Sequence, residues 1–188
     1  MLCGALSVDA FATTLYRMPL STGHVPTSWF DHDTRVGYML RYDGSTNFNY
    51  DEHHGTDFAS TSGYGIWTGA NGTVYQTENT CSDTPDPNCA GGYGNHVRLS
   101  HPDGRATIYA PMKKGTVAVA VNQSVLCSAL LGNVGNSGDS SGPHLHFELR
   151  SSSSSSFTRI DQFGGPYSNG GFSYWVNQNG GNPTTQCQ

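Results

Sequence analysis

The chain has 188 residues, a formal net charge of −5 and only 12% charged residues, whereas glycine occurs 24 times. This length suits one domain that can bury its own core, and we expect residues 1–188 to form a single domain. No cluster of lysine and arginine is present to neutralise phosphates, so the composition excludes nucleic acid as an expected partner.

The hydrophobic segments are too short for a membrane protein. No apolar run approaches the length that is needed to span a bilayer, so we expect no membrane span. The first residues, Met1 to Phe11, lack the basic start and sustained apolar stretch of an intact secretory leader. Low charge and abundant Gly, Ser, Thr, Asn and aromatic residues nevertheless favour a secreted β-protein, which we expect to be a monomer.

Short β-prone segments predominate, because Gly or Pro interrupts most helix-like patterns. Gly, Asn, Asp or Ser separates these segments, as is typical of antiparallel strands joined by turns. The stretch His101-Pro-Asp-Gly104 has the composition of a hairpin turn. The fold class is therefore predicted as mainly β, with strands at 72–76, 95–101, 105–109, 116–121 and 144–149.

The five cysteines predict at least one disulfide. Cys81 and Cys89 bound a segment rich in turn formers, which favours a disulfide that closes this loop. Cys127 has two candidate partners, Cys187 and Cys3, and sequence alone does not choose between them. No pair has C-x-x-C spacing, so a cysteine-based zinc site is disfavoured.

Two histidine clusters carry the candidate chemistry. In Gly142-Pro-His-Leu-His-Phe-Glu-Leu149, strand alternation places His144, His146 and Glu148 on one face and the apolar residues on the other. One imidazole there could bind a metal while the other transfers protons. In the second cluster, Tyr50 to Phe58, His53 and Asp57 are separated by Gly55, which permits an unusual backbone conformation or a close approach. Imidazole nitrogen and carboxylate oxygen are ordinary zinc ligands, and a catalytic zinc keeps three protein ligands.

These clusters resemble the signatures of the M23 (lysostaphin/LytM-like) family of zinc metallopeptidases. The cluster at Tyr50 to Phe58 is similar to the family's H-x-G-x-D motif, and the other cluster is similar to its G-P-H-L-H-F-E block. Intervening segments are also similar to family segments, in family order and spacing over about residues 50–150: Gly69-Ala-Asn-Gly-Thr-Val74, Tyr93-Gly-Asn-His-Val-Arg-Leu-Ser-His101 and Gly132-Asn-Val-Gly-Asn-Ser-Gly138.

The resemblance implies an antiparallel β-sheet groove domain of the LytM/lysostaphin (duplicated-hybrid-motif-like) type. Residues 50–150 would form its core, and 1–49 and 151–188 would wrap around it. One Zn²⁺ per chain would be held by His53, Asp57 and His146. His144 would act on the attacking water as a catalytic histidine. The implied substrate is cell-wall peptidoglycan or a similar glycine-rich peptide.

The chain departs from the family at one catalytic position. The family usually has a second catalytic histidine in a Y-x-H segment, where this chain has Tyr109-Ala-Pro111. Proline can neither donate a hydrogen bond to an oxyanion nor transfer a proton. Tyr109, His96 or His101 could compensate, and we expect Tyr109 to do so, because strand alternation places it on the same face as Pro111.

This departure leaves three functional hypotheses open. The first is a zinc-dependent hydrolase that cleaves peptide cross-links of peptidoglycan. The second is a zinc-dependent polysaccharide lyase that acts on an acidic, uronate-containing glycan through the same site. The third is a catalytically weakened module that binds peptidoglycan or another glycan.

Overall fold

The computed structural model describes residues 12–48, 51–178, 181 and 183–187. The segment Met1 to Phe11, Tyr50 and Cys3 lie outside the described residues. Within them the chain forms eleven strands and two short 3₁₀ turns, Cys89–Gly92 and Asn169–Gly171. The strands are β1 Tyr38–Leu40, β2 Thr46–Phe48, β3 Thr56–Ala59, β4 Gly65–Trp67, β5 Gly72–Glu78, β6 Asn95–Ser100, β7 Ala106–Met112, β8 Ser124–Val125, β9 Leu130–Asn133, β10 His144–Arg150 and β11 Arg159–Ile160.

The main sheet has seven strands, and every pairing in it is antiparallel. Its order is β11-β10-β7-β6-β5-β8, and β3 pairs with β10 beside β11. Two small sheets, β1-β2 and β4-β9, flank it. The mainly β, antiparallel fold class predicted from the sequence is confirmed. Within the described part of the chain, no helical segment is long and apolar enough to cross a membrane.

Four of the five predicted strands are present, and one is wrong. The segment 116–121 alternates valine with alanine but forms no strand. Its Ala118 amide donates to the Leu131 carbonyl at 2.8 Å, whereas the Ala120 amide donates to the Gln123 side chain instead of a neighbouring strand. Val117 and Val119 pack against the core. Burial of alternate residues therefore produced a strand-like pattern without a hydrogen-bonded ladder.

The turn between β6 and β7 is the predicted hairpin. The Gly104 amide donates to the His101 carbonyl at 3.0 Å, and the His101 amide donates to the Arg105 carbonyl at 2.9 Å. Gly104 has a φ of 85°, a conformation that glycine adopts at no steric cost. This turn fixes the alignment of β6 with β7.

Segments that precede and follow the strands in the sequence contribute side chains to the core. Tyr16 and Trp175 form an isolated parallel bridge and are both buried, and the Trp175 ring packs against Phe147 and Phe163. Two disulfides hold the periphery. Cys81–Cys89 is the predicted pair, and Cys127 pairs with Cys187.

Candidate metal centre

The pairing of β3 with β10 brings the two histidine clusters together. In this register Asp57 lies directly opposite His146, and cross-strand partners project from the same face of a sheet. His53 comes from the loop that leads into β3. A Cβ added at Gly55 would lie 2.6 Å from the Phe147 carbonyl oxygen and 2.8 Å from His146 Cε1. Gly55 is therefore required for close approach, one of the two roles that the sequence suggested.

Three side-chain atoms converge at this point. His53 Nε2 lies 3.1 Å from Asp57 Oδ1, His146 Nδ1 lies 2.8 Å from the same oxygen, and the two nitrogens are 3.1 Å apart. Their arrangement meets the distance requirement for a shared metal ion. The structure thus brings together all three residues that the sequence selected as ligands.

The other nitrogen of each imidazole fixes the orientation of its ring. His53 Nδ1 lies 2.7 Å from the Trp29 carbonyl oxygen, which can only accept, so Nδ1 carries the proton and Nε2 faces Asp57 with its lone pair. His146 Nε2 lies 3.6 Å from Glu148 Oε2, an ion-pair contact that is longer than a hydrogen bond. A hydrogen-bonded carbonyl or carboxylate behind a histidine is the usual support for a metal ligand.

The convergence of these acceptors favours a positive charge between them. Burial lowers the pKa of His146, but its contacts with Asp57 and Glu148 outweigh burial and raise that pKa to about 9. Burial would raise the pKa of Asp57, but its hydrogen bonds with His146 and His53 hold it well below the usual range. Without a metal, the single proton on His146 Nδ1 faces two acceptors, Asp57 Oδ1 and the Nε2 lone pair of His53. The donor set therefore fits a divalent cation such as zinc.

Glu148 contacts His146 from the side away from Asp57, and the sequence predicted no role for it beyond its strand face. It is fully buried, and it accepts hydrogen bonds from the Tyr93 hydroxyl at 2.5 Å and from Arg150 Nε at 2.6 Å. Burial raises the pKa of Glu148, but His146, Tyr93 and Arg150 together lower it to about 2. Glu148 is therefore a carboxylate at neutral pH. The signal in the sequence was its i, i+2 spacing from His146.

His144 lies beside the ligand cluster without joining it. Its Nδ1 is 2.8 Å from the Gly142 carbonyl oxygen and 3.3 Å from Ser140 Oγ. The carbonyl can only accept, so in the neutral ring Nδ1 carries the proton and Nε2 has a free lone pair. This is the tautomer that a general base needs.

A pocket of about 360 Å³, called here the metal pocket, opens over the cluster, and its lining includes His53, His146, His144, His54 and Pro111. A second pocket of about 480 Å³ continues on the other side, and Thr27, Ser28, Ala59 and Ser140 contribute to its lining. His144 lines both pockets. The candidate centre therefore lies partway along a groove rather than at its end.

The expectation that Tyr109 reaches this groove is wrong. Tyr109 pairs with Phe147 and projects into the core, fully buried, where its hydroxyl accepts a hydrogen bond from the Gly69 amide at 2.9 Å. Burial raises its pKa to about 12, which makes proton transfer at neutral pH still less favourable. Ala110, which pairs with His146, and its neighbour Pro111 both line the metal pocket. The β6–β7 register shifts between the pairs Val97–Tyr109 and Asn95–Met112, so the strict alternation that placed Tyr109 on the same face as Pro111 does not hold here.

The other two candidate replacements for the missing histidine are also buried. His101 lies against the Asn71 carbonyl and the Thr107 hydroxyl, away from the groove. His96 donates from Nδ1 to the Gly94 carbonyl at 2.8 Å, and its Nε2 has no hydrogen-bond partner among the described residues. Burial lowers the pKa of His96 to about 4. Neither ring lines the metal pocket.

Comparison with known proteins identifies the class. The model of peptidase family M23 matches residues 51–157, more than half of the chain, and the chain belongs to this family of metallopeptidases. It is 35% identical over 97 residues to the peptidoglycan DD-endopeptidase ShyA of Vibrio cholerae. It is 33% identical over 98 residues to the DD-carboxypeptidase/endopeptidase Mpg of Neisseria meningitidis. Each match covers 52% of this chain and 20% of the relative, so the matched region spans only about a fifth of either relative.

Solved structures share the fold. A point mutant of the catalytic domain of the prophage-encoded M23 protein EnpA from Enterococcus faecalis superposes with a TM-score of 0.58. It has 23% identity, over 83% of this chain and 98% of that one. The catalytic domain of lysostaphin from Staphylococcus simulans gives a TM-score of 0.54 at 23% identity, over 73% and 88% of the two chains. The fold is therefore that of lysostaphin-type catalytic domains, as the sequence predicted.

Proposed function

We propose that this chain is a secreted, zinc-dependent endopeptidase that cleaves peptide cross-links of peptidoglycan. The observation that carries the proposal is the convergence of His53 Nε2, Asp57 Oδ1 and His146 Nδ1 on the floor of a groove. Both rings are oriented from behind, by Trp29 and by Glu148. Zinc suits this mixed nitrogen and oxygen donor set, and three protein ligands leave a position open for chemistry.

The proposed reaction needs a polarised carbonyl, a proton acceptor, an oriented metal ligand and room for the peptide. Bound zinc would supply Lewis-acid polarisation of the scissile carbonyl and lower the pKa of the attacking water. His144 accepts the proton of that water at Nε2 and returns it to the leaving amine. Glu148 faces His146 Nε2 at 3.6 Å, and the attraction between the carboxylate and the ring favours the orientation that points Nδ1 at Asp57. The groove on both sides of His144 lets an extended peptide cross the centre.

Pro111 sets the expected limit on the rate. It lines the metal pocket where the family usually has a histidine, and it has no proton to donate. Loss of one oxyanion donor typically costs about 10²–10³ in kcat. We therefore propose a slow peptidase: the two relatives named as endopeptidases support the peptidase activity, and Pro111 supports the low rate.

The test offers two classes of substrate, cross-linked peptidoglycan and a uronate polysaccharide, to zinc-loaded and to chelator-treated protein. Cross-linked peptidoglycan should yield new amino termini with zinc, none after chelation, and full recovery when zinc is restored. The matched control is His144→Ala, which should keep its zinc and release amino termini about 10²–10⁴-fold more slowly. Unsaturated products from a uronate polysaccharide would instead identify a lyase. Binding without any product from zinc-loaded protein would identify a binding module.

A further inference from the structure

Charge is distributed unevenly along the groove. Among the described residues that line the metal pocket or the second pocket, Arg159 is the only arginine or lysine. It lies in the metal pocket, whose lining also includes the acidic residues Asp51, Glu52 and Asp139. A carboxylate on a bound peptide would be repelled by these acidic groups and attracted by Arg159.

Glu148, which contacts Arg159 inside the protein, already accepts shorter hydrogen bonds from other residues. Arg159 Nε lies 3.5 Å from Glu148 Oε1, a long contact, while Arg150 Nε donates to the same oxygen at 2.6 Å. The Tyr93 hydroxyl donates to the other oxygen of Glu148 at 2.5 Å. A guanidinium has five N–H donors, and the Arg159 side chain is 36% exposed. Arg159 therefore retains donors that can bind a ligand.

The position of Arg159 is fixed close to the metal centre. Its backbone pairs with Arg150 in the β10–β11 ladder, and its guanidinium lies 5.5 Å from the centre of the Phe157 ring. Glu148 contacts Arg159 through Oε1 and the proposed ligand His146 through Oε2. One carboxylate thus separates the arginine from a residue of the metal centre.

The chemistry of a guanidinium selects the ligand. Its planar fork matches a carboxylate and binds it through two parallel hydrogen bonds. In a glycine-rich bridge, every carboxyl group next to a scissile bond is itself part of an amide. In a peptide whose residue after the scissile bond is a chain end, or a branch point with an unlinked α-carboxyl group, a free α-carboxylate lies next to that bond.

We propose that Arg159 binds a free α-carboxylate on the substrate residue that follows the scissile bond. This inference rests on the proposed function and narrows it. The preferred substrates are cross-link peptides that carry this carboxylate, and uncharged glycine-rich bridges are poor substrates. Arg159 selects between two classes of peptide and takes no part in proton transfer.

The experiment uses two peptides that differ in one group. Both contain the same scissile bond, and the residue after it ends in a free carboxylate in one and in a carboxamide in the other. Affinity by calorimetry and turnover are measured on the zinc-loaded chain, on Arg159→Gln and on Arg159→Lys. The matched control is Arg35→Gln, because Arg35 pairs with Asp33, has a 62% exposed side chain and lines neither pocket.

We expect the unmodified chain to bind the acid about 10-fold more tightly than the amide, the scale of one charge-assisted pair. Arg159→Gln should abolish that preference, because it weakens the binding of the peptide acid and leaves the binding of the amide unchanged. Its zinc content should equal that of the unmodified chain. Arg159→Lys should keep part of the preference, and Arg35→Gln should keep all of it. Equal binding of acid and amide by the unmodified chain would overturn the inference. So would a loss of zinc in Arg159→Gln, since that would make Arg159 a structural partner of Glu148.

Different results would contradict the proposed peptidase activity and the proposed role of Arg159. Binding that prefers the acid without any turnover would leave the role of Arg159 standing and contradict the proposed peptidase. Turnover of both peptides with equal kcat/KM would leave the peptidase standing and contradict the role of Arg159. Tighter binding of a uronate oligosaccharide than of the peptide acid would show that the arginine serves a glycan, which also overturns the inference.

Discussion

On one face of β10 lie His144, His146 and Glu148, and on the other lie Leu145, Phe147 and Leu149, which are completely buried. The apolar face is fixed by packing, since the Phe147 ring contacts Tyr16, Tyr109 and Trp175. The polar face is fixed by hydrogen bonds from neighbouring strands and loops. One strand therefore holds a rigid core and a preorganised site, and substitutions on its two faces should have separable effects on stability and on chemistry.

The largest expected effect is the loss of the metal from the polar face. His146→Ala removes one of three ligands and leaves Asp57 facing His53 alone, so we expect an empty site and no detectable activity. Metal analysis of the purified variant measures this. The fold should remain, because His146 projects from the face opposite the buried apolar residues of β10. A full zinc complement in this variant would contradict the ligand assignment.

A smaller effect is expected at His144, two residues earlier on the same face. His144→Ala should keep one zinc per chain and lower kcat by about 10²–10⁴-fold, the usual contribution of a general acid–base group. Zinc content and turnover are measured on the same preparation. Loss of zinc together with turnover would show that His144 belongs to the metal centre.

Pro111 offers the reverse experiment, a gain of activity. Pro111→His places a hydrogen-bond donor in the lining of the metal pocket, and we expect kcat to rise by about 10²-fold. Pro111→Ala is the matched control, because it removes the proline without adding a donor. An equal rate in both variants would show that the groove already supplies the missing interaction.

The smallest effect on chemistry is expected on the apolar side of the sheet. Tyr109→Phe removes the hydroxyl that accepts from the Gly69 amide and leaves that buried donor unpaired. We expect the free energy of unfolding to fall by about 1–3 kcal/mol, with zinc content and kcat unchanged. Denaturant unfolding and a turnover assay together check this. A fall in kcat at unchanged stability would restore a role for Tyr109 in the groove.

The face assignments show what sequence can and cannot predict. In β10, polar and apolar residues alternate, so the pattern itself identifies the face of His144 and His146. In β7, all seven residues from Ala106 to Met112 are buried, because both sides of that strand are covered. Its sequence therefore contains no signal that distinguishes the core face from the groove face or that reveals the register shift against β6 near Pro111, and the assignment of Tyr109 failed.

Long-range partners could not be predicted either. The H-x-G-x-D motif is local, so His53, Asp57 and the close approach at Gly55 could be predicted from a short window. The support of Glu148 by Tyr93 and Arg150, and the position of Arg159 behind it, depend on how β6, β10 and β11 are arranged. The partner of Cys127 was undecided for the same reason, since 60 positions separate it from Cys187.

The serine-rich connection between β10 and β11 has a consequence for the lifetime of the protein. Ser151 to Ser156 are mostly exposed, and such loops are preferred sites of proteolytic nicking. A cut there would divide the chain between the metal centre and Arg159. The Cys127–Cys187 disulfide spans this loop, so the two fragments would remain covalently joined. A nicked molecule would migrate as one band on a non-reducing gel and as two bands after reduction.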